Sequence, residues 1–120
     1  MKKLLGLLVI FMLVLTACGS EEIYETIDID DVQTKMDEGY KVLDVREPSE
    51  FEGGHIPGAI NKPLSDLQQG NFEGLTTDEK YIVICKSGNR SKQASDILFE
   101  EKHTIVNVSQ GMSSWTGEIE

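Results

Sequence analysis

The sequence contains little cysteine and few basic side chains. Only two cysteines occur among its 120 residues. No Cys-x-x-Cys pair is present to resolve a mixed disulfide, which argues against general thiol redox work. Lys and Arg number 11 against 21 Asp and Glu, a formal net charge of −10. Such an acidic chain is not expected to bind nucleic acid or to adhere tightly to anionic lipid head groups.

Metal-ligand spacing, internal repeats and low-complexity segments are also missing, so the sequence predicts no metal site and no cofactor. The one long apolar segment lies at the start, where Met1-Lys2-Lys3 precedes a run from Leu4 to Leu15. A basic start with an apolar run this short is typical of a secretory signal and too short for a comfortable membrane span.

The segment Leu15-Thr16-Ala17-Cys18 resembles the lipobox of bacterial lipoproteins. The resemblance implies a signal peptide over residues 1–17, a lipidated Cys18 with a short linker over 18–22, and one domain over 23–120. An ordinary signal peptide cleaved after Ala17, or an uncleaved anchor, remains an alternative. We therefore expect a lipid-anchored protein on the extracytoplasmic face of the cell membrane. With Cys18 blocked by lipid, Cys85 stays a free thiol.

The stretch most informative about chemistry is Tyr81–Lys92. Its apolar start, Tyr81–Ile84, predicts a strand buried on both faces of a parallel sheet. Cys85 follows directly, and then comes a short polar loop that contains Gly88. The next residues predict a helix over Ser91–Lys102 with its first residue as N-cap. The sequence thus predicts strand, cysteine, loop and helix in immediate succession.

This arrangement favours a reactive thiol at Cys85. Backbone N–H groups and the positive end of the helix dipole point at the sulfur, and Lys86 and Arg90 add positive charge nearby. These effects stabilise a thiolate over a thiol, so Cys85 is the candidate nucleophile. The alternative is a small buried cysteine that closes a strand.

The rest of the chain alternates strands with helices. Strands are predicted at 23–29, 41–45 and 104–108, with a polar, Gly-rich turn after Pro48 and a short extended piece at 54–61. Helices are predicted from Asp30 or Asp31 to Glu38, at 63–69, and briefly at 111–115. This alternation predicts an α/β fold with a mostly parallel sheet of about five strands and helices on both faces. Sites in such sheets lie at the carboxyl ends of the strands.

Four segments resemble, in order, the signature segments of single-domain rhodaneses. They are Asp44-Val45-Arg46-Glu47, Gly54-His55-Ile56-Pro57-Gly58-Ala59, Cys85-Lys86-Ser87-Gly88-Asn89-Arg90-Ser91 and Gly111 to Trp115. The resemblance covers about residues 23–117 and implies a single rhodanese-like domain. It also implies a monomeric sulfurtransferase, in which Cys85 takes a sulfane sulfur from a donor such as thiosulfate. The cysteine would hold this sulfur as a persulfide and pass it to a thiol or to cyanide.

Roles for other side chains follow from the same resemblance. Arg90 and Lys86 would attract a small anionic donor and neutralise its leaving group. The expected substrate-binding residues are Lys86, Ser87, Gly88, Asn89, Arg90 and Ser91. Asp44 and Arg46 would support the loop, with a surface salt bridge as the alternative. One departure is Gln110, where many members have glycine, so the resemblance does not predict the shape of the turn before Gly111.

Besides the thiol redox work considered above, two other functions are alternatives. A phosphatase or arsenate reductase would also use a cysteine-to-arginine loop, but such loops place five residues between the two, against four here. A non-catalytic or sensing rhodanese module commonly lacks the cysteine that this chain retains.

A histidine base is not required for sulfur transfer. His55 is expected to make a structural hydrogen bond, and His103 is expected to lie at a helix end.

Overall fold

The computed structural model describes residues 23–120. The predicted signal peptide, the lipobox and Cys18 lie outside these residues. Within residues 23–120, no helix is both long and apolar enough to cross a membrane.

The centre of the domain is a five-stranded sheet in the order β1-β5-β4-β2-β3, in which every neighbouring pair is parallel. Its strands are β1 Glu25–Ile27, β2 Lys41–Asp44, β3 Ile60–Asn61, β4 Lys80–Ile84 and β5 Thr104–Val108. The predicted α/β class and five-stranded parallel sheet are confirmed. β4 lies in the middle and is buried from Tyr81 onward, as its apolar run predicts.

Within residues 23–120, four α-helices and one short 3-10 helix connect the strands, and a second 3-10 helix follows β5. The α-helices are α1 Val32–Asp37, α2 Pro48–Glu52, α3 Leu64–Gln68 and α4 Asn89–Glu100. The 3-10 helices are Ile29–Asp31 and Met112–Ser114.

The sheet has a hydrophobic core on each face. On one face, Leu64 and Leu67 of α3 and Leu98 of α4 pack with buried strand residues and Cys85. The core on the other face includes Val32 of α1 and Ile56 of the loop before β3, with Met112 and Trp115 packed against it. The segment predicted as a short helix over 111–115 therefore packs back on the core.

Three local predictions need correction. α2 replaces the predicted polar turn, because Pro48 starts the helix and the Glu47 and Glu50 side chains complete a capping box. The helix after Cys85 begins at Asn89 with Gly88 as its cap, so Ser91 is not the N-cap and lies in the first turn. At the first helix, Asp31 stands at the N-cap of α1, as predicted, but its side chain makes no capping hydrogen bond. Asp28 accepts from the Asp30 N–H and caps a 3-10 turn that precedes α1.

Candidate active site

Cys85 leaves β4 at its carboxyl end and enters a loop of three residues before α4 begins. Gly88 closes the loop with φ of +103°, a backbone conformation that L side chains rarely adopt. Its N–H donates to the Cys85 sulfur at 3.1 Å. The loop therefore curls around the thiol and directs a backbone donor at it.

Hydrogen bonds favour the charged form of Cys85. Burial raises the pKa of the thiol, but hydrogen bonds from the Ser91 hydroxyl and from the N–H groups of Ser91, Gly88 and Ser87 outweigh it. The net pKa lies below the ordinary value for cysteine. The structure thus supplies the N–H-rich setting that sequence and helix dipole predict.

The Ser91 hydroxyl takes part in this setting although it does not cap the helix. Its oxygen lies 3.3 Å from the Gly88 carbonyl oxygen and 3.3 Å from the Val108 carbonyl oxygen. The hydroxyl has one hydrogen to give, so it can turn from these carbonyls toward the Cys85 sulfur when the thiolate forms.

The turn after β5 packs directly on the cysteine loop. The Met112 N–H donates to the Cys85 carbonyl at 2.8 Å, and the N–H and hydroxyl of Ser113 donate to the Lys86 carbonyl at 3.0 and 2.8 Å. Gly111 makes this approach possible, since a Cβ there would lie 2.4 Å from the Lys86 carbonyl oxygen. The backbone of the cysteine loop is therefore held by hydrogen bonds from residues that are distant in sequence.

Arg90 has a partner that sequence reasoning missed. Its guanidinium donates to both carboxylate oxygens of Glu50, at 2.7 and 3.0 Å. Glu50 also accepts from the Glu47 N–H at 3.0 Å, so the α2 capping box holds the carboxylate in place. The hydrogen bonds from Arg90, and then that from Glu47, lower the pKa of Glu50 to about 2. The sequence signal that could have predicted a helix with Glu50 in its first turn is Glu47-Pro48-Ser49-Glu50, the pattern of a helix N-terminus.

Asp44 and Arg46 form a second pair at the end of β2. The Arg46 Nε and an Nη donate to the Asp44 carboxylate at 2.9 and 2.7 Å, and the same Nη donates to the Gly54 carbonyl at 2.9 Å. Both residues are buried, so the alternative of a surface salt bridge is wrong. The Asn61 carboxamide donates to the Asp44 and Arg46 carbonyls at 3.0 Å each and ties β3 to this turn.

A cavity of about 270 Å³ borders the cysteine loop and is lined by Arg46, Glu50, Lys86, Met112 and Ser113. Cys85 itself does not line it, and its side chain is 1 % exposed. Of the other loop residues, Lys86, Ser87 and Asn89 are exposed, and Gly88 is half-buried. The cavity thus joins the turn after β2, the helix α2 and the cysteine loop at one edge of the sheet, as the rule for parallel sheets predicts.

The remaining sequence candidates have structural partners or lie elsewhere. The His55 ring stacks on Phe51, and its Nδ1 lies 2.8 Å from the Phe51 carbonyl oxygen, in keeping with a structural hydrogen bond. His103 follows α4 and is buried, and its Nδ1 has no hydrogen-bond partner in the described structure. Gln110 accepts from the Ile29 N–H and donates to Asp28, at 2.8 Å each. The side chain that departs from the family pattern therefore links the turns after β5 and β1.

Comparison with known proteins adds to this geometry. The family model described as rhodanese-like domain matches residues 28–118. The chain is 41 % identical over 85 residues to "Putative sulfur carrier protein YrkF" of Bacillus subtilis, and the match covers 70 % of this chain and 45 % of that protein. It is 39 % identical over 84 residues to "Putative sulfurtransferase YtwF" of the same organism, and the match covers 70 % of this chain and 81 % of that protein. The chain thus spans less than half of the first relative and most of the second.

Solved structures agree. A rhodanese-related protein from Thermoplasma volcanium superposes with a TM-score of 0.70 at 41 % identity, covering 77 % of this chain and 90 % of that one. A protein from Staphylococcus saprophyticus superposes with a TM-score of 0.71 at 30 % identity, covering 80 % and 98 %.

Proposed function

Because the chain belongs to the rhodanese-like domain family, we propose that it is a sulfurtransferase in which Cys85 carries sulfur as a persulfide. The observation that carries this proposal is the 3.1 Å hydrogen bond from the Gly88 N–H to the Cys85 sulfur. A persulfide anion has no proton to donate and is stabilised by the donors around it. A curled loop with several inward N–H groups supplies those donors.

The reaction needs two displacements at sulfur. In the first, the Cys85 thiolate attacks the outer sulfur of a donor such as thiosulfate. An S–S bond forms as the donor's own bond to that sulfur breaks, and sulfite leaves with the electron pair. In the second, a thiolate or cyanide attacks the outer sulfur of the persulfide, and Cys85 leaves as a thiolate. Neither step changes the total oxidation state, so no cofactor is required.

Access to the sulfur is narrow. Since the Cys85 side chain is 1 % exposed, a donor in the neighbouring cavity would extend only its terminal sulfur into the loop. Lys86 lines the cavity and would attract an anionic donor.

Mass spectrometry of the purified full chain tests the proposal. Thiosulfate alone should add one sulfur to Cys85 and release sulfite, and cyanide should then remove it as thiocyanate. Because the enzyme holds the sulfur between half-reactions, initial rates should show ping-pong kinetics. Cys85→Ser should abolish both half-reactions, and Cys18→Ser, the matched control at the other cysteine, should retain them. Release of phosphate from an aryl phosphate without any sulfur adduct would instead support the oxyanion alternative.

We also propose that a lipid on Cys18 anchors the protein to the extracytoplasmic face of the membrane. The proposal rests on Leu15-Thr16-Ala17-Cys18 and the apolar run before it. Protein from its host should begin at Cys18, carry a lipid there and partition into detergent. A mature chain that begins at Gly19 or retains Met1 would contradict the anchor without affecting the sulfur chemistry.

A further inference from the structure

The Gln110 side chain bridges the turns that follow β5 and β1. Its carboxamide oxygen accepts from the Ile29 N–H and from the Ser109 hydroxyl, at 2.8 Å each. Its carboxamide nitrogen donates to the Asp28 carboxylate at 2.8 Å. One half-buried side chain therefore holds the turn after β5 against the turn after β1 through both of its polar atoms.

The backbone fixes the direction of this bridge. The Ile29 N–H can only donate, so the carboxamide oxygen of Gln110 must face it and the carboxamide nitrogen must face Asp28. The Asp28 carboxylate is held as well, because its other oxygen accepts from the Asp30 N–H at 2.9 Å. The bridge between Gln110 and Asp28 therefore has one hydrogen-bonded arrangement, and a change from donor to acceptor at either end breaks it.

The turn that Gln110 holds is the one that packs on the cysteine loop. A Cβ at Gly88 would lie 2.2 Å from the Ser109 carbonyl oxygen and 3.0 Å from the Gln110 carbonyl oxygen. The two backbones are in contact, so a shift of the turn moves Gly88. The Gly88 N–H is the donor that lies 3.1 Å from the Cys85 sulfur. The position of the turn therefore sets the position of a hydrogen bond to the candidate nucleophile.

We propose that Gln110 is a positioning residue for Cys85, because it holds the turn after β5 against the cysteine loop and so keeps the Gly88 N–H directed at the sulfur. The inference rests on the sulfur transfer proposed above and adds a residue to it. The Gln110 side chain bonds the two turns and does not line the cavity beside the cysteine loop. Its effect reaches the sulfur through the backbone of the turn.

An exchange of donor and acceptor tests the bridge in the full chain. Gln110→Glu keeps an oxygen for the Ile29 N–H but sets a second carboxylate oxygen against Asp28. Asp28→Asn keeps an oxygen for the Asp30 N–H but sets its amide nitrogen against that of Gln110. The double variant, Asp28→Asn with Gln110→Glu, reverses the direction of the hydrogen bond and restores it at the net charge of the wild type.

Gln33→Glu is the matched control. The Gln33 carboxamide donates to the Asp37 carboxylate at 3.1 Å, and both residues are exposed on α1. The substitution removes the same kind of hydrogen bond, adds the same charge and creates the same pair of facing carboxylates. Because this bond lies within one helix and does not reach the turn after β5, its loss should leave Cys85 unaffected.

The first readout is the titration of the Cys85 thiol, obtained from the rate of alkylation of the Cys85 peptide against pH. Both single variants should raise the pKa of the thiol, because a displaced Gly88 N–H stabilises the thiolate less. The double variant and Gln33→Glu should titrate as the wild type does. A rise in neither single variant, no recovery in the double variant, or an equal rise in Gln33→Glu would overturn the inference.

The second readout is kcat/KM for loading Cys85 with thiosulfate at neutral pH. Gln110→Glu and Asp28→Asn should each lower it roughly threefold to tenfold, the range of one net hydrogen bond. The double variant should recover to within about twofold of the wild type, and so should Gln33→Glu, whose added charge is exposed and screened. Loss of stability alone would lower the unfolding midpoint without moving the titration of the folded thiol.

The outcomes separate this inference from the proposed function. If thiosulfate adds no sulfur to Cys85 in the wild type, the sulfurtransferase function fails, whereas the alkylation curves still test the bridge. If the adduct forms in every protein and the alkylation curves coincide, the sulfurtransferase function stands and the role of Gln110 is refuted. If one single variant does not fold, the other reports the same loss and the double variant reports the recovery.

Discussion

Gly88 lies directly against the carbonyl of Ser109, so close that a Cβ at Gly88 would be 2.2 Å from the Ser109 oxygen. The cysteine loop and the turn after β5 therefore contact each other through their backbones. Two requirements act on Gly88 at once, since its φ is +103° and no space remains for a side chain. A glycine at this position is required by tertiary packing as well as by local conformation.

Gly88→Ala should destabilise the fold more than the same change at Gly70. Gly70 also has positive φ, of +82°, but a Cβ there meets nothing within 4 Å. Gly70→Ala should cost about 1 kcal/mol, from backbone strain alone. Gly88→Ala should cost roughly 1–3 kcal/mol more, because the Ser109 backbone must shift. Urea unfolding of the full chain measures both, and equal losses would show that the contact with Ser109 relaxes freely.

Asp44→Asn should be among the more damaging polar substitutions in the domain. It leaves the Arg46 guanidinium buried without its carboxylate, and breaking a buried ion pair in this way costs ~3 kcal/mol or more. The control is Glu79→Gln, which removes a carboxylate from the exposed pair with Lys41 and should cost less than about 1 kcal/mol. Similar unfolding midpoints for the two variants would mean that burial adds nothing to the importance of the Asp44 pair.

Ser91→Ala should raise the pKa of the Cys85 thiol, because the Ser91 hydroxyl helps to lower it. The measurement is the rate of alkylation of the Cys85 peptide against pH, read by mass spectrometry so that Cys18 does not interfere. Ser95→Ala is the control, since its hydroxyl is also buried on α4 but hydrogen-bonds Asn107. A shift as large in Ser95→Ala as in Ser91→Ala would point to a general change in the helix.

The Glu50–Arg90 pair should make the stability of the fold depend on pH in the acidic range. The pKa of Glu50 is lowered from 4.5 to about 2 in the folded chain, so the unfolded chain binds the proton more tightly. The stabilisation is therefore complete above pH 4.5 and is lost as pH falls toward 2. Thermal unfolding midpoints of the wild type and Glu52→Gln should fall through this window more steeply than that of Glu50→Gln. Parallel curves for all three proteins would show that the pair does not contribute.

Local sequence patterns predicted most of the elements and pointed to Cys85 as the candidate nucleophile. The apolar run Tyr81–Ile84 predicted the central strand because a strand covered on both faces needs apolar residues on both sides. Cys85 followed it at the carboxyl end of a parallel sheet, where the rule for α/β folds puts a site. The helix predicted over 63–69 is also present as α3, and its Leu64 and Leu67 are buried.

Only the tertiary structure decided which distant groups meet at that site. Glu50 and Arg90 are 40 residues apart, and no local pattern in the chain relates one to the other. The helix that contains Ser91 begins two residues earlier than predicted, with Gly88 in the cap position and held against the Ser109 carbonyl. The Ser91 hydroxyl therefore lies in the first turn, where it lowers the pKa of Cys85. Local propensity acts over one or two turns, whereas these contacts form only when the sheet brings the ends of β2, β4 and β5 together. The pattern of residues therefore determined which group is the candidate nucleophile, and packing decided which charges surround it.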